Sequence, residues 1–240
     1  MLSKNELKYI QSLCQKKQRQ AEGLFLVEGV KLVDELLKSS FRTRKIYALE
    51  NWAHQYRGNH EITIVAESEL EKISTLQTPN QVLAIAEQQQ PAGQPQIETQ
   101  LTIVLDGIQD PGNFGTILRI GDWFGVTQVV ASTDTVELYN PKTIQSTMGS
   151  FSRVNVWYRP LPEFLASVKV PVYGALLDGR SIYESSPVTE GLLVIGNESK
   201  GISKELLPYI THPITIPAFG GAESLNAAVA AGILLSHFRK

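Results

Sequence analysis

Short apolar runs alternate with helical segments in the second half of the chain, and this alternation constrains the fold more than any other feature. Residues 101–105 form a continuous apolar run of strand length, as expected for a strand buried on both faces. Further strand candidates follow at residues 128–131, 171–177, 192–195 and 214–216, and helices are predicted at about residues 113–124 and 225–238. Alternating strands and helices predict an α/β fold with a mostly parallel sheet that helices cover on both sides.

Residues 88–100 read as a linker because they contain two prolines and only one long apolar residue, Ile97. Before them, short apolar runs at residues 24–27, 45–49, 62–65 and 82–86, with a helical segment at residues 30–38, predict a small α/β unit. We therefore predict a small α/β domain in residues 1–90, a linker in residues 91–100 and a larger α/β domain in residues 101–240.

The charges are distributed unevenly, although the formal net charge is only −2. Residues 1–60 contain eleven Lys or Arg against six Asp or Glu, whereas the rest of the chain is acidic. A basic segment on an acidic body is typical of nucleic-acid binding, and a solvated lysine-rich helix face is the alternative explanation. The candidate RNA contacts are Lys4, Lys8, Lys16, Lys17 and Arg19.

Several other classes of protein fit the composition poorly. No apolar run approaches the length of a membrane span, and the first ten residues lack the apolar core of a signal peptide. The single cysteine, Cys14, allows no internal disulfide and favours a reducing, cytoplasmic location. The four histidines are far apart in the sequence, so we predict no metal site.

Three segments of the second domain share one layout, in which a buried strand leads into a loop of small and polar residues. Ligands of open α/β sheets bind at the carboxyl ends of the strands, so these loops are where a site is expected. In the first segment, residues 105–119, Asp110-Pro111-Gly112 predicts a turn, and Asn113 is expected to cap the helix that carries Arg119. The alternative is that Asn113 only caps and that Arg119 pairs with Asp122.

The second segment, residues 194–201, contains two glycines that allow close backbone approach to a ligand. Its Lys200 precedes Gly201, which is the wrong order for a nucleotide-hydrolysing phosphate loop. A plain turn is the alternative. In the third segment, residues 216–230, Ser224 is expected to cap the last helix and Asn226 to lie in its first turn.

Together the three segments resemble the signature motifs of the TrmH (SpoU) branch of the SPOUT methyltransferases, over about residues 101–240. Residues 25–29, Phe-Leu-Val-Glu-Gly, look more loosely like the substrate-binding domain that often precedes this catalytic domain and is related to a ribosomal-protein fold. The resemblance implies a deep trefoil knot at the C-terminus, S-adenosylmethionine as the cofactor, and a homodimer with its site at the subunit interface. It also implies an RNA methyltransferase that modifies a ribose 2′-hydroxyl, in ribosomal RNA rather than transfer RNA.

The same resemblance assigns roles to ten residues. The polar positions that it assigns to catalysis are Asn113, Arg119, Glu198, Ser224 and Asn226. The positions that it assigns to cofactor binding are Gly196, Asn197, Gly201, Ile216 and Leu225.

Methyl transfer to a ribose needs an activated hydroxyl, because a hydroxyl is a poor nucleophile. A guanidinium stays protonated in proteins, so we expect Arg119 to stabilise oxyanion charge and grip a phosphate rather than act as a base. Glu198 is expected to position Arg119 or to receive the proton through water. Two alternatives remain open at this point: methylation of a base nitrogen by the same fold, and an RNA-binding protein that has lost catalysis.

Overall fold

The computed structural model describes all 240 residues, which form two compact units. Unit 1 consists of Met1–Gln89 and Tyr139–Ser152, and unit 2 consists of Gln90–Leu138 and Arg153–Lys240. The α-helices are α1 (Lys4–Ser12), α2 (Lys16–Glu22), α3 (Val30–Leu37), α4 (Glu50–Gln55), α5 (Glu67–Ile73), α6 (Pro111–Trp123), α7 (Pro141–Thr147), α8 (Leu161–Ser167) and α9 (Ala227–Phe238). Short 3-10 helices cover Ser150–Ser152, Ile182–Glu184 and Leu207–Tyr209.

Ten strands form two sheets, one in each unit. The strands are β1 (Leu24–Glu28), β2 (Thr43–Ala48), β3 (Ile62–Ile64), β4 (Val82–Glu87), β5 (Leu101–Leu105), β6 (Gln128–Ala131), β7 (Asn155–Tyr158), β8 (Val172–Ser181), β9 (Gly191–Ile195) and β10 (His212–Thr215). No helix combines the length and the apolar character that a membrane span needs.

The sheet of unit 1 has the order β1-β4-β2-β3. Strand β4 is antiparallel to both of its neighbours, and β3 is parallel to β2. The four strand candidates of the N-terminal segment are therefore confirmed to within two residues at each end. Apolar side chains from α1, α5 and the sheet meet in one core, including Ile10, Leu26, Leu70 and Leu83.

Glu28 ties the end of β1 to the turn after α5. Its side chain is only 5% exposed, and its carboxylate accepts hydrogen bonds from the Ser74 hydroxyl and from the amide and hydroxyl of Thr75. The next residue, Gly29, has φ +96°, which a residue with a side chain rarely adopts. Glu28 and Gly29 thus both have a structural role within unit 1.

The segment Tyr139–Ser152 belongs to unit 1, although both of its sequence neighbours belong to unit 2. The Phe25 ring lies 4.5 Å from the Tyr139 ring and 5.9 Å from the Phe151 ring, measured between centroids. These aromatic contacts account for the grouping, because they bury large apolar surfaces against β1.

The sheet of unit 2 has the order β10-β8-β9-β5-β6-β7, and every adjacent pair is parallel. The predicted α/β fold with a parallel sheet is therefore confirmed. The central strands β5 and β9 are buried along their whole length, which explains their continuous apolar sequences. Residues of the predicted linker contact this unit: Gln96 and Gln128 exchange two hydrogen bonds, and Trp157 donates to the Gly93 carbonyl.

Candidate active site

The loop after β5 leads into α6, and Asp110 is the residue that caps this helix. The Asp110 side chain accepts a hydrogen bond of 2.8 Å from the Asn113 amide, and Pro111 occupies the first helical position. The prediction that Asn113 is the cap was therefore wrong. Because Asp110 takes that role, the side chain of Asn113 in the first turn is free to bond elsewhere.

The last helix, α9, begins two residues later than predicted. Asn226, not Ser224, is its cap: the Asn226 Oδ1 accepts hydrogen bonds from the amides of Ala228 (2.9 Å) and Val229 (3.3 Å). The prediction for Ser224 was wrong because the helix has not yet begun at that point, and the Ser224 side chain is exposed. Asn226 fills the cap equally well, since Asn and Ser are similarly favourable there.

The amide side chains of Asn113 and Asn226 connect all three predicted motifs. The Asn226 Nδ2 donates to Asn113 Oδ1 at 2.8 Å, and the Asn113 Nδ2 donates to Glu198 Oε1 at 3.0 Å. Residues 85 and 113 positions apart in the sequence thus form one continuous chain of hydrogen bonds. Three of the five predicted catalytic residues are brought together in this way.

The loop after β9 is held by Asn197 and by close backbone contacts. The Asn197 Nδ2 donates to the Gly107 carbonyl at 2.6 Å, and its Oδ1 accepts from the amides of Ser199 and Lys200. A Cβ on Gly196 would lie 2.1 Å from the carbonyl carbon of Gly201, so only glycine fits there. Gly201 itself has φ +67°, which favours glycine. Glycine is therefore required at position 196 for lack of space and favoured at position 201 by the backbone conformation.

A cavity of about 600 Å³ lies between the loop after β9, the loop after β10 and the start of α9. All five predicted cofactor residues line it, as do Glu198 and Ser224. Its apolar lining also includes Leu176, Ala230 and Leu234. The cavity has the size and the mostly apolar lining that are typical of small-molecule sites. The sequence gives no signal that Leu176, Ala230 and Leu234 line a cofactor cavity, because apolar residues in strands and helices are typical of the core.

Arg119 lies apart from this cavity. It is exposed on α6, and neither a hydrogen bond nor an ion pair holds it within the chain. The alternative pairing with Asp122 is not observed, since Asp122 binds the guanidinium of Arg153 at 2.9 Å. Arg119 therefore presents a free guanidinium at the surface of unit 2.

The candidate RNA contacts of the N-terminal segment divide into two groups. Lys4, Lys8, Lys16 and Lys17 are exposed, as a surface that follows an RNA backbone requires. Arg19 is a correction: its side chain is 1% exposed and donates to the Leu13 carbonyl at 2.9 Å. A guanidinium enclosed within unit 1 cannot reach a phosphate. No group of three or more His, Cys, Asp or Glu side chains is arranged to hold a metal ion.

Comparisons with known proteins agree with the three motifs. Residues 100–236 match the SpoU rRNA Methylase family, and residues 4–84 match the MRM3-like substrate binding domain. The chain is 32% identical to the 23S rRNA (guanosine(2553)-2'-O)-methyltransferase RlmP of Bacillus subtilis, over 93% of this chain and 92% of that protein.

Solved structures resemble the whole chain. A TrmH-family protein from Porphyromonas gingivalis is 40% identical, with a TM-score of 0.89 over 100% of this chain and 98% of that one. The SpoU methyltransferase AviRb from Streptomyces viridochromogenes, solved with AdoMet, is 25% identical, with a TM-score of 0.85 over 98% and 97% of the two chains. The protein belongs to the SpoU rRNA Methylase family.

Proposed function

We propose that the protein transfers a methyl group from S-adenosylmethionine to a ribose 2′-hydroxyl of ribosomal RNA. The observation that carries this proposal is the hydrogen-bond chain from Asn226 through Asn113 to Glu198, at a site whose neighbouring cavity is lined by Glu198. The 2′-O-methyltransferase relatives support the ribose as the target, and their 23S rRNA substrates support ribosomal RNA. Ribosomal RNA as the substrate supports a cytoplasmic location.

The residues of the cavity fit S-adenosylmethionine. Ile216, Leu225 and Ala230 offer apolar surface for a flat base. Two structural neighbours were solved with AdoMet bound, which supports the same assignment here. When bound, S-adenosylmethionine supplies a methyl group on a positively charged sulfur, which leaves as a neutral thioether.

The chain's own residues would prepare the hydroxyl. Asn113 holds Glu198 through Oε1, and the other carboxylate oxygen, Oε2, makes no hydrogen bond within the chain. We assign to Glu198 Oε2 the proton that leaves the 2′-hydroxyl, taken directly or through one water. Asn226 fixes the orientation of Asn113, because its own amide is held by the start of α9.

Arg119 would stabilise negative charge on the 2′-oxygen, and it would do so across a homodimer interface. Arg119 does not line the cavity of its own chain. It lies on α6, and α6 packs against α9. Exposed apolar side chains accompany these helices: Trp123 is 84% exposed, Val229 50% and Leu225 47%. Such exposure favours a partner surface, which supports the proposed homodimer.

We also propose that the C-terminal region is knotted as in other SPOUT proteins. The match of residues 100–236 to the SpoU family and the likeness of the whole chain to a TrmH-family structure support this proposal.

The test is methyl transfer from tritiated S-adenosylmethionine to unmodified ribosomal RNA, with transfer RNA as the parallel substrate. We expect label in ribosomal RNA, in a dinucleotide that resists alkaline hydrolysis because its 2′-hydroxyl is blocked. Label in an alkali-sensitive mononucleotide would instead indicate a base nitrogen. Cofactor binding without methyl transfer to either RNA would indicate a catalytically silent protein. RNA binding without cofactor binding would indicate the same.

A further inference from the structure

A second cavity in unit 2, of about 810 Å³, lies at the carboxyl ends of the other strands of the parallel sheet. Asp106 follows β5, Ser132 follows β6 and Arg159 follows β7, and all three line it. This is the edge of an open α/β sheet at which ligands bind. Neither the hydrogen-bond chain nor the proposed cofactor site accounts for this cavity.

The two cavities share a wall. Asn197, Lys200 and Gly201 line both of them, and Asn197 is fixed between them by its hydrogen bond to the Gly107 carbonyl. A molecule in the second cavity would therefore lie directly behind the loop that borders the proposed cofactor site. Its ligand is expected to be part of the substrate, or a molecule that acts together with it.

The lining combines both signs of charge with apolar surface. Its cations and carboxylates are Arg159, Lys200, Lys204, Asp106, Asp134 and Glu205. Lys200 and Lys204 are exposed and form no ion pair with any of these carboxylates. Pro160 is exposed and Pro162 is partly exposed, and these two residues supply accessible apolar surface to the same lining. A ligand that satisfies all three features carries an anion, hydrogen-bond donors and a flat apolar face.

We propose that this second cavity binds one unpaired nucleotide of the RNA substrate, a neighbour in the strand of the nucleotide that is methylated. The phosphate would lie against Lys204 and Arg159, the base edge would donate to Asp134, and the base face would pack on Pro160. Unpaired bases that are splayed out of an RNA are the usual targets of sequence-specific recognition. The inference rests on the proposed function, since it requires RNA as the substrate.

The test measures binding of guanosine 5′-monophosphate to protein saturated with S-adenosylhomocysteine, which occupies the cofactor cavity. Lys204→Glu is the test variant, and Lys169→Glu, an exposed lysine outside both cavities, is the matched control. We expect Lys204→Glu to weaken binding about tenfold, because it reverses one charge next to a phosphate, and Lys169→Glu to leave binding unchanged. Equal binding by both variants, or no binding to the loaded wild type, would overturn the proposal.

A second measurement separates RNA from a free nucleotide as the natural ligand. With transcribed 23S rRNA as substrate, we expect Lys204→Glu to raise KM about tenfold while kcat and the Kd of S-adenosylhomocysteine stay as in the wild type. An unchanged KM alongside weakened nucleotide binding would overturn the RNA assignment. Failure of S-adenosylhomocysteine to bind would instead contradict the proposed function, so the two failures are distinguishable.

Discussion

Asn226 performs two tasks that a pair of substitutions can separate. Its Oδ1 caps α9 by accepting from Ala228 and Val229, and its Nδ2 donates to Asn113. Asn226→Ala removes both groups of atoms. Asn226→Asp keeps the acceptor for the cap, but it has no donor to offer Asn113, so only the second task is lost.

The expected magnitudes follow from these contacts. Loss of an Asn cap costs about 1 kcal/mol, and the exposed bond to Asn113 adds about 0.5 kcal/mol, so Asn226→Ala should lower the free energy of unfolding by about 1–2 kcal/mol. Asn226→Asp should stay within about 0.5 kcal/mol of the wild type, because Asp caps as well as Asn and its charge suits a helix N-terminus.

Methyl transfer should respond differently from stability. In Asn226→Asp the carboxylate faces the Asn113 oxygen, so Asn113 must turn its amide nitrogen toward position 226 and away from Glu198. Glu198 then loses the donor that orients it, and we expect kcat to fall by a factor of about ten to a hundred. Thermal unfolding followed by circular dichroism, with single-turnover methylation, measures both effects.

Ser224→Ala is the matched control for stability, because Ser224 is exposed and does not cap the helix. We expect it to unfold like the wild type. The reasoning would be refuted if Asn226→Asp destabilised the protein as much as Asn226→Ala, or if Asn226→Asp left kcat unchanged.

Three further predictions follow from the structure. Arg119→Ala should lower kcat by a factor of about 10²–10³ and leave the Kd of S-adenosylmethionine unchanged, and lysine should not restore the rate because it lacks the planar fork of donors. Glu28→Gln should lower the free energy of unfolding by about 2–4 kcal/mol in denaturant titration, because the buried carboxylate serves three donors. Partial burial and the nearby Glu28 carboxylate raise the pKa of the Cys14 thiol, so at pH 8 iodoacetamide should alkylate it more slowly than a model thiol peptide.

Each of these predictions has a control and a contradicting result. Arg239→Ala, at an exposed position after α9, should retain full activity, and equal loss in both arginine variants would remove the specific role of Arg119. Glu71→Gln, on the exposed side of α5, should be neutral, and a neutral Glu28→Gln would mean that the bonds to Ser74 and Thr75 contribute no net stability. Faster alkylation of Cys14 than of the peptide would contradict the direction of its pKa.

Much of the sheet could be predicted because its strands are buried on both faces and therefore apolar throughout. The bounds of β5 and β6 agree residue for residue with the predicted runs. Strand β7 was not predicted, because only its two middle residues are buried and it begins with the exposed Asn155. The starts of α6 and α9 differ by two residues from the predicted starts. Two residues that can cap a helix lie near each start, and tertiary contacts decide between them.

The convergence of the motifs could be predicted only through the family resemblance, because no periodicity relates residues 113, 198 and 226. The loss of Arg19 from the RNA surface has a simpler cause. A lysine-rich sequence does not reveal which cation folds inward, and Arg19 does so to reach the Leu13 carbonyl. The grouping of Tyr139–Ser152 with unit 1 depends on aromatic contacts with β1 that are distant in sequence.

Hydrogen–deuterium exchange with and without S-adenosylmethionine tests the central claim most directly, namely that loops distant in the chain form one cofactor site. Bound ligand slows exchange where it stabilises the backbone. We predict slower exchange at residues 195–201 and 214–226 together, and unchanged exchange at residues 132–134 of the second cavity. Protection of only one of the two loops, or none at all, would contradict the account.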